Sequence, residues 1–218
     1  MSKSETESSR AKETRAELFS AAIAALQRGE VIAFPTETLY GLGADALSSA
    51  AVEKVFQLKG RDAANPIPVL VTDREMLGTL VSDIPPLAET LIARFWPGPL
   101  TIVFPARPDI PRPLVNAAGG VGVRVSSQAI AGQLIEALGG PITATSANPS
   151  GRPAARTVQE AQKYFSGQID IFVDGGTLTS QTGSTVVELV GDSLRILRAG
   201  EVSRSQLETV LGAERILA

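Results

Sequence analysis

The sequence predicts an α/β domain built on a mixed sheet, and three observations carry that expectation. Helical and strand-like periodicities alternate along the chain, with short connections and no linker between them. The first half alternates strictly, as a doubly wound sheet does. Near the C-terminus, two strand-like runs at residues 184–190 and 193–198 flank Gly191-Asp192 as a hairpin, which argues against a purely parallel sheet. With 218 residues, 44% hydrophobic and 20% charged, the chain suits one soluble domain.

Residues 1–13 are polar and read as a disordered tail, residues 14–212 as the folded domain, and residues 213–218 as a C-terminal tail. Thr14 and Glu17 form a capping-box pair. Leu18, Phe19, Ala22, Ile23 and Leu26 then repeat at helical spacing, and Gly29 sits where a helix stops. Residues 31–34 form a first strand. It empties into Phe34-Pro35-Thr36-Glu37-Thr38-Leu39-Tyr40-Gly41-Leu42-Gly43, which reads as a polar turn held rigidly by the strand. A second helix starts at Ser48, buries Val52, Val55 and Phe56, and closes on Lys59-Gly60-Arg61. The apolar run 67–71 is a strand whose Pro68 requires an edge position or a late start.

Helices follow at 73–80 and 86–95, the latter with Pro86 in its first turn. Trp96-Pro97-Gly98-Pro99-Leu100 breaks the pattern, and 101–104 is a strand. Residues 106–120 are rich in Pro and Gly and read as a loop, one candidate for a lid. The strand at 121–125 carries Arg124 among valines, and a helix at 127–138 ends at Gly139-Gly140. The strand 142–145 ends in a second polar turn, Ser146-Ala147-Asn148-Pro149-Ser150-Gly151. Thr157 and Glu160 cap a helix running to Phe165, and the strand 169–173 ends in Asp174-Gly175-Gly176. After the hairpin, Ser203 with Gln206 and Val202 with Leu207 mark the start of the last helix.

The chain contains neither cysteine nor histidine. Disulfides, thiolate metal sites, Cys nucleophiles and His bases are excluded, so chemistry falls to carboxylates, hydroxyls, amides, Lys, Arg, backbone N–H groups or a bound metal. Net charge is −3, so any nucleic-acid contact depends on a local patch. The P-loop, a complete G-x-G-x-x-G after a strand and the G-x-S-x-G elbow are all missing. No leader-like or membrane-length apolar run is present, and a cysteine-free chain is consistent with the cytoplasm. Lys59 and Arg61 form either a phosphate clamp or favourable charges at a helix C-terminus. Ser146 and Asn148 either offer neutral donors to a ligand or brace their own turn.

Taken together, these pieces resemble the YrdC-like family, the threonylcarbamoyl-AMP synthases. The matching stretches are 34–43, Lys59-Gly60-Arg61, Asn65-Pro66, 96–101, Val123-Arg124, Ser146-Ala147-Asn148, Asp174-Gly175-Gly176, Ser184-Thr185 and Arg198-Ala199-Gly200. The resemblance implies a single-domain twisted mixed β-sheet flanked by helices, with a concave active-site face. It implies formation of threonylcarbamoyl-AMP and pyrophosphate from L-threonine, bicarbonate or CO2, and ATP, for modification of a tRNA adenosine beside the anticodon.

By motif, Thr38, Tyr40, Arg124, Ala144 and Ser184 are expected on the threonine side, and Lys59, Arg61, Asn65, Ser146, Asn148 and Arg198 on the ATP side. Lys59 and Arg61 are the expected catalytic pair, and the 97–101 turn is expected to shape the pocket. Mg²⁺ is expected to ride mainly on ATP, with no protein metal cage. Partner proteins of the tRNA threonylcarbamoyl transfer machinery are expected, with room for a weak tRNA contact and none for a membrane. Two positions depart from the family pattern: Leu70 where a histidine is common and Gly120 where a threonine is common. Glu37 is left with two readings, orienting a neighbouring cation or facing solvent. The rival functions are an RNA-binding module in tRNA or ribosome maturation, and a paralogue making carbamoyl-adenylate for another acceptor.

Overall fold

The computed structural model describes residues 16–60 and 65–217. The expected polar tail and Thr14 lie outside them. Residues 16–27 are helical (α1), and Gly29, at φ 68°, turns the chain out of the helix. Strands β1 (Ile32–Pro35) and β2 (Tyr40–Gly43) follow. They pair antiparallel, so the stretch read as a polar turn is a hairpin whose second half is a fully buried strand. Glycine is required within it: a Cβ on Gly43 would lie 2.7 Å from the Phe34 ring. Two glycines in four residues hid the strand, since glycine is a poor strand former by propensity.

Helix α2 (Ser49–Lys59) is capped by the Ser48 side chain and ends at Gly60 in the left-handed region. Strand β3 (Val69–Val71) starts after Pro68 and is an interior strand, so the proline delays the strand. Helix α3 (Arg74–Gly78) is capped by Asp73, and α4 (Pro86–Phe95) precedes β4 (Leu100–Pro105). The 106–120 segment contains a 3₁₀ turn, Arg112–Leu114, and is pinned to the core by Ile110 and Leu114. Then come β5 (Gly120–Val125), α5 (Ala129–Leu138), β6 (Ile142–Thr143) and β7 (Thr145–Ser146). Helix α6 (Val158–Phe165), β8 (Ile171–Phe172), the hairpin β9 (Thr185–Val190) with β10 (Ser193–Arg198), and α7 (Arg204–Leu211) complete the order. The Ser203–Gln206 capping box is fully formed.

Among the described residues the strands divide into two mixed sheets, ordered β7-β2-β1-β8 and β10-β9-β4-β5-β3-β6. The run read as one strand, 142–145, supplies an edge to each: β6 pairs with β3, β7 pairs with β2, and the chain crosses between sheets at Ala144. Strand alternation sorts the core. Ala33, Val69, Ile102, Val123 and Val187 join the main cluster with α2, α4, α6 and α7. Ile32, Phe34 and Leu70 point into a second cluster packed by α1 and α5.

Candidate active site

The same alternation builds a cavity. On the six-stranded sheet, Thr101, Val103, Gly122, Arg124 and Val186 face away from the core and, with Ser184 just before β9, line a hollow of about 510 Å³. The register explains the match, since Thr101 sits beside Val186 and Val103 beside Gly122. The turn of the β1–β2 hairpin supplies Thr36, Thr38 and Leu39 to the wall, and the β6–β7 crossing supplies Ala144, Thr145 and Ser146. A second hollow of about 360 Å³ adjoins it and shares Asn65 and Ser146. A third, between α2 and β8 and lined by Glu30, Lys54 and Asp170, holds none of the motif residues.

All five expected threonine-side residues line the larger cavity. Thr36 Oγ1 donates to Leu39 O (2.7 Å) and accepts from the Thr38 and Leu39 N–H groups. Its one proton is thereby used, so Thr38 Oγ1 is the donor in the 3.0 Å contact between the two hydroxyls. Thr38 Oγ1 is left as an acceptor at the cavity wall.

Arg124 is only 4% exposed. Its Nη1 donates to Glu37 Oε1, and Ser126 Oγ donates to Glu37 Oε2. Burial pulls the guanidinium below its usual pKa, and the Glu37 carboxylate opposes that shift. Arg124 Nε is buried without a hydrogen-bond partner. Such an orphan is rare in a folded interior and calls for an explanation, of which an absent acceptor is one.

Ser184 Oγ lies 2.8 Å from Thr101 Oγ1. Arg198 clasps the same residue, with Nη2 donating to Ser184 O (2.7 Å) and to Ser184 Oγ (3.1 Å). The glycine of Arg198-Ala199-Gly200 permits this approach, because a Cβ there would stand 2.3 Å from Gly183 O. Tyr40 is fully buried; its hydroxyl donates to Gly176 O (2.8 Å) and accepts from Gly175 N (2.9 Å). Burial above all, with Asp174 nearby, pushes the phenol up to about 12. Tyr40 thus ties the hairpin to Asp174-Gly175-Gly176. Gly175 is needed there because a Cβ would meet Pro35 Cγ at 2.4 Å.

On the expected ATP side, Asn65, Ser146 and Arg198 line the larger cavity, and Lys59 and Asn148 line the adjoining one. Lys59, 3% exposed, donates from Nζ to Ser146 O (2.6 Å) and Asn148 O (2.8 Å). Asn148 Nδ2 donates to Pro149 O and Arg152 O. The lysine therefore braces the 146–148 turn as well as placing a cation beside it. Arg61 lies outside the described residues.

Leu70 is buried in the second cluster and is not part of the cavity wall. Gly120 is part of it, and a Cβ there would meet Val103 Cγ1 at 2.6 Å. Asn116 also lines the cavity; its Oδ1 accepts from Ala118 N (2.9 Å) and Gly120 N (2.7 Å). Sequence reasoning missed Asn116, which sat in a segment read as loop. The Asn-x-x-Gly-Gly spacing, typical of a side-chain-braced turn, was the available signal. It also left the Glu37–Arg124 pair open, because 87 residues separate the partners.

A family model described as telomere recombination, the Sua5/YciO/YrdC family, matches residues 24–200. Threonylcarbamoyl-AMP synthase of Pyrococcus abyssi is 41% identical over 191 residues, covering 88% of this chain and 56% of the relative. The Bacillus subtilis enzyme of the same name is 41% identical with the same coverage. The chain thus spans little more than half the length of these two relatives. The synthase of Thiobacillus denitrificans is 38% identical, covering 80% of this chain and 91% of the relative. Among solved structures, P. abyssi Sua5 complexed with L-threonine aligns with a TM-score of 0.87 at 39% identity, over 93% of this chain and 59% of that one. E. coli YciO aligns at 0.77 and 27% identity, over 86% of this chain and 91% of that one. The matched region carries both sheets, the cavity and every motif that lines it, and the chain belongs to the Sua5/YciO/YrdC family.

Proposed function

We propose that the protein is a threonylcarbamoyl-AMP synthase, joining L-threonine, bicarbonate or CO2, and ATP, and releasing pyrophosphate. The observation that carries the reading is a single cavity in which a buried Arg124 with an unpartnered Nε sits with Thr38, Ser184, Asn65, Ser146 and Arg198. Relatives bearing that enzyme name, one covered over 91% of its length, support it. Arg124 takes the threonine carboxylate, and Thr38 and Ser184 hold its polar groups. Arg198, Asn65 and the Lys59-braced turn hold the nucleotide, and Arg61 is assigned to it by its motif alone.

The chemistry suits a chain without histidine. The amine of threonine adds to CO2 and loses a proton, giving a carbamate. A carbamate oxygen bonds to the α-phosphorus of ATP as the bond to the β-phosphate oxygen breaks and pyrophosphate leaves. The nucleophile is already an anion, so the step needs positioning and stabilisation of phosphate charge more than a strong base. Mg²⁺, when bound to ATP, neutralises phosphate charge. Among the described residues no group of three or more acidic side chains is placed to hold a metal ion. The product serves tRNA modification through partner proteins in the cytoplasm; no described helix is long and apolar enough to cross a membrane.

The test is pyrophosphate release with ATP, bicarbonate and each amino acid in turn. Release that requires threonine is expected. Release dependent on a different acceptor points to the carbamoyl-adenylate paralogue. Absent release with steeply salt-dependent RNA binding points to an RNA-binding module.

A further inference from the structure

Glu37 does not line the cavity, yet it is the residue on which the cavity's buried cation turns. Its side chain is 15% exposed, and both carboxylate oxygens are engaged, one by Arg124 Nη1 and the other by Ser126 Oγ. The acid comes from the β1–β2 turn and the two donors from β5 and the residue after it, so the pair also fastens the hairpin to the six-stranded sheet. A guanidinium has a planar fork of five donors, and fixing one nitrogen fixes the direction of the others. With Nη1 held by Glu37, Nε stands buried and unpartnered in a residue that lines the cavity. Ser126 fixes the second oxygen, so the carboxylate cannot rotate away. The same Ser126 Oγ accepts from Gln128 N (3.2 Å), which anchors it at the start of α5.

We propose that Glu37 is a positioning residue that aims the Arg124 guanidinium at the carboxylate of the amino-acid substrate, and so sets affinity on the threonine side alone. This rests on the threonine reading of the cavity. Glu37 also balances the arginine's charge before substrate arrives, which favours a net-neutral amino acid over a simple anion in that subsite.

The experiment is steady-state pyrophosphate release by the full chain and by Glu37→Gln, titrating threonine and ATP separately. Glutamine keeps the size but can accept from only one of the two donors through its single carbonyl. The expected result is a threonine KM raised about tenfold or more, the cost of one charge-assisted hydrogen bond, with the ATP KM unmoved. Glu37→Asp, which keeps the charge, should recover part of that loss. An unchanged threonine KM with a lower active fraction, or equal rises in both KM values, makes Glu37 a structural brace and overturns the proposal. Should Glu37→Gln fail to fold, Ser126→Ala leaves the Glu37–Arg124 charges in place and frees one carboxylate oxygen. It should raise the threonine KM by about threefold, and no rise overturns the proposal. Absence of threonine-dependent release from the unaltered protein overturns the threonine reading and this proposal with it. Normal release from that protein beside an unaffected Glu37→Gln overturns this proposal alone.

Discussion

Lys59 and Arg124 are both buried cations at the wall of one site, and their surroundings differ in kind. Lys59 donates to the backbone carbonyls of Ser146 and Asn148, so the lysine and the turn define each other. Arg124 is fixed by a side-chain carboxylate brought from another sheet, and one of its nitrogens has no partner. Removing the first is expected to unmake a piece of backbone, whereas altering the second is expected mainly to change what the cavity can hold. Equal burial therefore does not mean equal roles: one cation is tied to backbone carbonyls, and the other is paired with a single carboxylate in a residue that lines the cavity.

The largest effect that tests this contrast is expected from Lys59→Met, which keeps the stem and removes the ammonium. Two buried carbonyls lose a charged donor, so unfolding free energy should fall by about 3 kcal/mol, read by denaturant titration. Pyrophosphate release should fall by about 100-fold or more, because the turn carrying Ser146 loses its brace and the nucleotide loses a cation. A variant that lost activity while unfolding like the unaltered protein would break the contrast, since the lysine would then be a ligand contact only.

Arg124→Lys comes next. The charge remains for Glu37, but the planar fork is gone, so a second group cannot be held in a fixed direction. The threonine KM should rise by about 10- to 100-fold while stability changes by about 1 kcal/mol or less. A large loss of stability with an unchanged threonine KM would place Arg124 with Lys59 as scaffold.

Much of this was legible in the chain. Ser48, Thr157 and Ser203 marked the starts of α2, α6 and α7, and Arg124 stood out as a cation among strand valines. What escaped was the consequence of close contact. Gly41 and Gly43 look like turn residues until the Phe34 ring is seen lying over them in a strand. The 142–145 run looks like one strand because its pattern does not record that Ala144 steps from one sheet to the other. Glu37 and Arg124 are joined only by the folded hairpin, and no local spacing encodes that pairing. Strand identity and capping are local properties, whereas a site assembled from both sheets depends on their registration.

Tyr40→Phe should have the smallest effect, and it tests whether an uncharged anchor in the same hairpin behaves as scaffold. The hydroxyl's bonds to Gly175 and Gly176 would be lost at a cost of about 1–2 kcal/mol, with the threonine KM unmoved, because the phenol oxygen points to the glycine turn. The pH dependence adds a second signature. The phenol's ordinary value of 10.0 is raised to about 12 in the folded state, so folding favours the neutral form. Its contribution is complete below the unfolded value and is lost as pH rises from there through the folded value. Melting temperatures compared from about pH 8 to about pH 11 should therefore show the unaltered protein's advantage over Tyr40→Phe holding at first and then shrinking. An advantage that stayed constant across that range would mean the hydroxyl is not buried as the hairpin buries it, and the glycine turn would need another anchor.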